Sequence, residues 1–243
     1  MAVLDVRGLF KHFGGLTAVN DLSFSVEEGQ VLGIVGPNGS GKTTAFNLIT
    51  GFIKPEAGQV FLDGENITLW KPYRIVRKGM ARTFQVVKVF RQLSVHENIK
   101  VAKMLTIKTI KDLNERVEEI VSLVGLKGKG KEYAINLPIG DLKRLEIARA
   151  LATDPRVLLL DEPFSGLSHH EVEEISYFLQ DLVKHGTTIV IVEHVLRELR
   201  KIAENIIVLD FGAKIAEGKF GDVINQQVVR EAYLGGAASA YNR

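Results

Sequence analysis

The sequence predicts an α/β domain built on a phosphate-binding loop, with a mostly parallel sheet covered by helices. Two observations predict it. A glycine-rich stretch, GPNGSGKTT at 36–44, lies between an apolar run at 31–35 and a helical pattern that begins at Ala45. Further along, short apolar runs alternate with helical patterns, which is typical of a parallel sheet with helices on its faces.

Length and composition fit one large domain. The chain has 243 residues, 46% hydrophobic and 25% charged, and its formal net charge of +2 gives no reason to expect nucleic acid as a partner. The absence of cysteine excludes disulfides, thiolate metal sites and cysteine nucleophiles. We find no signal-peptide pattern and no apolar run near the roughly 18 residues that span a bilayer, so we expect a soluble, cytoplasmic protein.

The apolar patterns also predict the order of the elements. Strands are expected at Val3–Val6, Leu22–Val26, Val31–Val35, Gln59–Asp63, Ala81–Gln85, Val157–Leu160, Thr187–Val192 and Ile206–Asp210. Helices are expected from the glycine-rich stretch to about Thr50, at Pro72–Arg77, within Glu97–Val124, after Asp141 as N-cap, and at about His169–Lys184. The basic turn at 127–131 is expected to be solvated, and the chain from Gly235 to be loose.

The glycine-rich stretch matches the GxxxxGK[ST] pattern of a phosphate-binding loop. Its glycines, Gly36, Gly39 and Gly41, let backbone N–H groups turn toward phosphate oxygens, where the following helix presents its positive end. In this pattern Lys42 reaches the β- and γ-phosphates, the Thr43 hydroxyl ligates Mg²⁺, and Thr44 assists at the α-phosphate. Pro37, Asn38 and Ser40 complete the loop. The alternative is a plain turn with a solvated lysine.

Polar residues follow three of the predicted strands, at the edge of the sheet where ligands bind in α/β proteins. Asp161 and Glu162 end one strand; Asp161 can hold Mg²⁺ and Glu162 can act as the base for an attacking water. His194 and Gln85 end two others and can contact the γ-phosphate, the water or Mg²⁺. The alternatives are a helix-capping acidic pair and polar strand ends. Phe13, before the second strand, can stack on a base or plug a strand end.

The order of these features resembles the ATPase subunit of ATP-binding cassette (ABC) transporters over about residues 3 to 225. They are Phe13, the loop at 36–44, Gln85, the stretch Leu137–Asp141 running into KRLEIARAL, LLLDE ending at Glu162, SGLS at 165–168, and His194. GMARTFQ at 79–85, RLEIARAL at 144–151 and EAYLG at 231–235 are most similar to the branched-chain amino acid importer ATPases of the LivG type.

The resemblance implies a single ABC nucleotide-binding domain, with antiparallel N-terminal strands and an inserted helical subdomain. The helical part is about 88–155 and the ATP-binding core is 1–87 and 156–234. ATP and Mg²⁺ are the implied cofactors, and two such subunits sandwich two ATP molecules. Phe13 then stacks on adenine, Gln85 ligates Mg²⁺, His194 is the switch histidine, and the signature residues Pro138, Ile139, Gly140 and Asp141 contact the partner's nucleotide.

The implied partners are transmembrane permease subunits, a homodimeric or heterodimeric ATPase partner and, indirectly, a solute-binding protein. The ATPase is then peripheral on the inner face of the cell membrane, and Val86–Phe90 either line the permease-docking groove or pack the helical subdomain.

The signature departs from the family's LSGGQ at Pro138 and Asp141, and Ser168 replaces the usual aspartate, which raises the hypothesis of a related second ATPase as partner. An exporter ATPase of the lipopolysaccharide type, or a non-transport ABC switch protein, is the alternative. A GTPase is disfavoured because no NKxD motif is present.

Overall fold

The chain forms a single mixed sheet with helices on both sides. The computed structural model describes residues 2–106, 112–194 and 196–239, with 234–239 described by their backbone only. The strands are β1 (Ala2–Phe13), β2 (Leu16–Glu27), β3 (Val31–Val35), β4 (Ala57–Leu62), β5 (Glu65–Asn66), β6 (Met80–Arg82), β7 (Val157–Asp161), β8 (Thr188–Val192), β9 (Asn205–Asp210) and β10 (Ala213–Lys219). Their order across the sheet is β5-β4-β1-β2-β10-β9-β3-β8-β7-β6.

The N-terminal strands form the antiparallel half of the sheet. β1 pairs antiparallel with β2 and with β4, and β4 pairs antiparallel with β5. β1 and β2 are much longer than the short strands that the sequence predicts, and Phe13 ends β1 instead of lying in a loop. The extra length is the hairpin at 7–21, in which only Leu9 and Val19 are buried, so no regular apolar alternation marks it in the sequence.

The parallel half of the sheet determines where the candidate site lies. β3 lies between β9 and β8 and is parallel to both, and β8, β7 and β6 continue in the same direction. Every residue of β7 and β8 is buried, as expected for strands covered on both faces. The carboxyl ends of these strands therefore meet at one edge of the sheet, where the phosphate-binding loop follows β3, Asp161 ends β7 and Glu193 follows β8.

Nine α-helices and a short 3-10 helix (Ala134–Asn136) are seen in the described ranges; the α-helices are named in chain order. They are α1 (Lys42–Ile49), α2 (Pro72–Lys78), α3 (Val95–Lys103), α4 (Leu113–Leu123), α5 (Ile139–Leu151), α6 (His169–Lys184), α7 (Leu196–Leu199), α8 (Phe220–Val223) and α9 (Gln227–Ser239). None of them has the length and apolar character that crossing a bilayer requires. α3, α4 and α5 pack on one another and lie within the range predicted for the helical subdomain.

Helix ends differ from the sequence prediction at two places. Asp141 is not the N-cap of α5: the helix begins at Ile139 with Pro138 as N-cap, and the Leu142 N–H donates to the Pro138 carbonyl at 3.0 Å. Proline fits this position because its φ of −63° suits the start of a helix. Proline also has no backbone N–H, so no N–H is left there without a hydrogen-bond acceptor. The chain after Gly235, predicted to be loose, continues α9 as far as Ser239. β5, β10, α7, α8 and α9 had no predicted counterpart, and part of the predicted helical range, 107–111, lies outside the described residues.

Candidate active site at the carboxyl edge of the sheet

The phosphate-binding loop connects β3 to α1 and requires glycine at two positions. A Cβ on Gly36, where φ is +153°, would lie 2.1 Å from the Leu209 carbonyl oxygen of β9. A Cβ on Gly41, where φ is +99°, would lie 2.2 Å from the Ala18 carbonyl oxygen of β2. The loop therefore packs directly against the backbone of two strands, which no side chain at these positions allows.

Lys42 begins α1 and its ammonium group lies inside the curve of the loop. Its Nζ donates hydrogen bonds of 2.8 Å to the carbonyl oxygens of Gly36 and Pro37. Burial lowers the pKa of Lys42, while the nearby charges of Glu162 and Asp161 oppose that shift. Thr43, in the first turn of α1, is exposed. The loop thus places a cation and a hydroxyl at the N-terminus of α1, where phosphate binding is favoured.

Asp161 is the last residue of β7 and is almost fully buried. Its Oδ2 is 3.1 Å from a guanidinium nitrogen of Arg82, and its N–H donates to the Thr83 hydroxyl at 3.1 Å. The other carboxylate oxygen, Oδ1, is buried without a hydrogen-bond partner. Burial raises the pKa of Asp161, and the Arg82 charge opposes the increase.

Glu162 follows Asp161 in a left-handed backbone conformation, with φ at +49°. Two of the other predicted residues converge on its carboxylate. Gln85 Nε2 donates to Glu162 Oε2 at 3.1 Å, and His194 Nδ1 is 3.7 Å from the same oxygen. The structure therefore brings Gln85, Glu162 and His194 together, although each belongs to a separate segment of the chain.

The residue before His194 is a fully buried carboxylate. Glu193 Oε1 accepts the Phe164 N–H at 2.9 Å, and Oε2 accepts the His194 N–H at 3.3 Å. Burial raises the pKa of Glu193. This side chain joins the end of β8 to the segment after Glu162 and so fixes the spacing between the two.

The side-chain oxygens available as metal ligands at this edge of the sheet suit Mg²⁺ better than a transition metal. Thr43, Gln85 and Asp161 offer a hydroxyl, an amide and a carboxylate oxygen, and hard oxygen ligands are what Mg²⁺ prefers. The unpartnered Oδ1 of Asp161 is such a ligand. Within the ranges that the structure describes, no three His, Asp or Glu side chains cluster into a metal cage. That fits an ion held by one or two side chains together with phosphate oxygens and water.

The signature stretch begins α5, away from this chain's own phosphate-binding loop. Ile139 is half exposed, and Asp141 is paired with Lys129 from the basic turn that was expected to be solvated. Hydrogen bonding to Asp141 raises the pKa of Lys129. A Cβ on Gly140 would lie 2.1 Å from Glu171 Oε1, so a second carboxylate faces the start of the helix. Among the described residues, no hydrogen bond or ion pair joins residues 138–141 to the loop at 36–44.

Phe13 ends β1 with about half of its side chain exposed (47%), and Lys11 Nζ is 5.3 Å from its ring centroid. It is not a buried plug, because about half of the side chain is open to solvent. Since the Ala18 carbonyl of the same hairpin contacts Gly41, the hairpin lies beside the phosphate-binding loop.

Three buried charged residues of the site escaped the sequence analysis: Arg82, Lys143 and Glu193. Arg82 pairs with Asp161, Lys143 donates to the Glu162 carbonyl, and Glu193 orders the backbone beside it. The sequence did contain a signal for these three residues, namely a charged side chain within an apolar pattern. Arg82 and Glu193 lie at the carboxyl ends of short strands, and Lys143 lies between Leu142 and Leu145.

Together the loop, the buried aspartate and the glutamate beside it form the site of a nucleoside triphosphatase of the phosphate-loop class. Comparison with known proteins narrows this class. Residues 19–165 match the family model described as ABC transporter. The branched-chain amino acid transport ATP-binding protein BraF of Pseudomonas aeruginosa is 37% identical, covering 97% of this chain and 98% of that protein. The lipopolysaccharide export ATP-binding protein LptB of Acidithiobacillus ferridurans is 35% identical, covering 96% of this chain and 97% of that protein.

Solved structures agree with the sequence relatives. The ADP conformation of MJ1267, an ATP-binding cassette of an ABC transporter, matches with a TM-score of 0.87 and 30% identity, covering 97% of this chain and 99% of that one. A dimeric post-hydrolysis state of the cassette MJ0796, bound to ADP and Pi, matches with a TM-score of 0.81 and 27% identity, covering 89% and 98%. The chain belongs to the ABC transporter family, as a nucleotide-binding ATPase subunit whose hydrolysis is coupled to transport.

Proposed function

We propose that this chain hydrolyses MgATP to drive solute import through a separate permease, with Glu162 as the base. The observation that carries the proposal is the convergence of Gln85 and His194 on the Glu162 carboxylate, next to Asp161 and the phosphate-binding loop. A carboxylate held between an amide and an imidazole is oriented to take the proton of a water that attacks the γ-phosphate.

Each remaining site residue has a role in this proposal. The amides of 36–41 and the Lys42 ammonium hold the phosphates, and Thr44 contacts the α-phosphate. Thr43, Gln85 and Asp161 hold Mg²⁺, which neutralises charge on the β- and γ-phosphate oxygens. His194 donates to the γ-phosphate or the attacking water, and the exposed ring of Phe13 stacks on adenine.

The permease is proposed to dock beside the segment that follows Gln85. Exposed apolar side chains lie on this segment (Val86 and Phe90), on α3 and the turn after it (Val101, Met104 and Leu105), and at Phe52, whose ring packs edge-on against Phe84. Val86 is 75% exposed, which favours docking over packing of the helical subdomain for this residue. Docking to a permease places the chain on the cytoplasmic face of a membrane, with a solute-binding protein as an indirect partner.

The solute is proposed to be a branched-chain or other hydrophobic amino acid, because BraF and the LivG proteins are named for that transport. The identity of 35% to LptB keeps a lipopolysaccharide-type exporter as the second candidate. Purified complexes reconstituted in vesicles would distinguish the two, since only the importer accumulates radiolabelled leucine in response to internal ATP.

We further propose that the working unit is a dimer of two cassettes, each completing the other's nucleotide site. The partner is a second copy or a related ATPase. Pro138 has neither hydroxyl nor N–H, and the carboxylates of Asp141 and Glu171 lie at the start of α5. Negative charge there opposes phosphate binding, which favours a partner that carries a standard signature.

The test is size-exclusion chromatography with light scattering on Glu162→Gln, with and without ATP and Mg²⁺, and with Glu217→Gln as an exposed control. Loss of the base should trap an ATP-bound dimer. A dimer only with ATP supports Glu162 as the base and self-pairing, whereas bound ATP without dimerisation supports a second ATPase subunit. Absence of ATP binding would contradict the proposed function.

A further inference from the structure

Lys143 is a buried lysine to which the proposed reaction gives no role. It lies at the start of the second turn of α5 with only 6% of its surface exposed, and its Nζ donates a hydrogen bond of 2.7 Å to the backbone carbonyl of Glu162. The helix that begins with the signature stretch is therefore attached directly to the residue proposed as the base.

Lys143 lies among carboxylates. Burial lowers the pKa of Lys143, and the nearby charges of Glu193, Glu146 and Glu162 oppose that shift. Apolar side chains could fill the same space between Leu142 and Leu145, so the hydrogen bond to Glu162 is what a lysine adds here.

Glu162 needs such an anchor because its backbone is in a region that side chains other than glycine rarely occupy. A left-handed residue costs about 1 kcal/mol or more and persists only where the surroundings impose it. Here both backbone groups of Glu162 are held: its N–H donates to the Val192 carbonyl at 3.0 Å, and its carbonyl accepts from Lys143 at 2.7 Å and, over a longer 3.3 Å, from the Ser165 N–H. With the backbone fixed at both ends, the carboxylate is directed toward Gln85 and His194.

We propose that Lys143 is a positioning residue for ATP hydrolysis, which holds the backbone of Glu162 so that its carboxylate faces Gln85 and His194. Lys143 also couples this geometry to the position of α5, since any displacement of the helix relative to β7 pulls on the Glu162 carbonyl. The inference rests on the proposed function, in which Glu162 is the base.

The experiment compares Lys143→Met and Lys143→Arg with the wild-type chain and with Lys127→Met, which removes an exposed lysine of the same helical region. Equilibrium binding of a fluorescent ATP analogue gives Kd, and phosphate release at saturating MgATP gives kcat. Lys143→Met should lower kcat by about tenfold or more at a Kd within about twofold of wild type, because misplacement of a reacting group by about 1 Å costs roughly this much. Lys127→Met should change neither.

Lys143→Arg keeps the charge that the surrounding carboxylates require and decides the outcome if the methionine variant does not fold. Its forked guanidinium cannot place one nitrogen where Nζ lies, so kcat should fall by less than in Lys143→Met, again with Kd unchanged. A wild-type kcat in Lys143→Arg together with a non-folding Lys143→Met would mean that the lysine only balances charge, and would overturn the proposal.

A double-mutant cycle with Glu162→Gln separates this inference from the proposed function. If Lys143 acts through the base, Lys143→Met should not lower the residual rate of Glu162→Gln any further. An equal fold-loss in both backgrounds, or a loss of ATP affinity that matches the loss of kcat, would overturn the positioning role while leaving the base assignment intact. If Glu162→Gln hydrolysed ATP at the wild-type rate, Glu162 would not be the base, and the proposed role of Lys143 would fail with it.

Discussion

Arg82 and Asp161 form an ion pair of 3.1 Å in which both side chains are buried, with 5% and 1% of their surfaces exposed. Arg82 also donates to Asn47 Oδ1 at 2.7 Å and to the Thr50 hydroxyl at 3.2 Å, both of which belong to α1 or its C-cap. Its guanidinium carbon is 4.6 Å from the Phe84 ring centroid. One side chain therefore joins the carboxylate proposed to bind Mg²⁺, the helix after the phosphate-binding loop and the residue before Gln85.

We expect Arg82→Met to destabilise the protein by about 3 kcal/mol, because removing one member of a buried pair leaves the other charge uncompensated. Urea unfolding would measure the change. Arg116→Met, which breaks an exposed pair with Glu119 on α4, should have no measurable effect. Equal effects of the two substitutions would show that burial does not strengthen the Arg82 pair.

Lys42→Met should weaken MgATP binding by about ten- to a hundredfold, since a hydrogen bond to a charged group contributes about 1.5–3 kcal/mol. The Gly36 and Pro37 carbonyls that Lys42 contacts would lose a donor, so a smaller loss of stability should accompany the loss of affinity. Titration with a fluorescent ATP analogue checks the prediction, and the exposed Lys54→Met is the control. An unchanged Kd in Lys42→Met would contradict phosphate binding by this lysine.

The start of α6 should show a pH-dependent contribution to stability. Ser168 accepts the Glu171 N–H, while Glu171 accepts from both the hydroxyl and the N–H of Ser168. These hydrogen bonds, the hydroxyl first, hold the pKa of Glu171 below its usual 4.5. A lowered pKa means that the stabilisation is complete above pH 4.5 and is lost as the pH falls through the lowered value.

We therefore expect Ser168→Ala to cost about 1 kcal/mol at neutral pH, with a smaller difference from wild type in acid. Ser168→Asp, which introduces the aspartate usual in the family, should retain the cap and serve as the control. Urea unfolding at neutral and acidic pH measures the difference, and a difference that grew in acid would contradict the assigned capping box.

Restoring a standard signature should strengthen self-association. In the Glu162→Gln background, Pro138→Ser with Asp141→Gln supplies a hydroxyl and removes a negative charge at the start of α5. The protein concentration for half-dimerisation with MgATP should fall by about tenfold, equivalent to about 1.4 kcal/mol. Analytical ultracentrifugation would measure it; an unchanged concentration would mean that Pro138 and Asp141 do not decide the pairing.

Much of the nucleotide site was predictable because its residues follow buried strands. The apolar runs before Gly36, Asp161 and Glu193 identify strands on their own, and parallel strands end at one edge. The contacts of Gln85 were not predictable, since its donation to Glu162 depends on two segments that are far apart in the chain.

Ion pairs between separate segments of the chain were harder to foresee. Lys129 in a glycine-broken turn is indistinguishable in sequence from a solvated lysine, and only the packing of α5 places Asp141 beside it. The start of α5 was misplaced for a related reason. An aspartate in the first helical turn satisfies the same pattern as an N-cap, and the choice between them depends on Pro138, whose ψ of 164° places it outside the helix.

The close packing of Gly36 on β9 and of Gly41 on β2 also bears on how fast nucleotide binds. A hydrogen bond of 3.1 Å from the Gly212 N–H to the Ser40 carbonyl adds a third attachment, from the turn between β9 and β10. A loop pinned by backbone at three points loses little conformational entropy when phosphate arrives, because its shape already exists. We expect nucleotide association to need no prior rearrangement of the loop, so that nucleotides differing in phosphate number differ mainly in residence time.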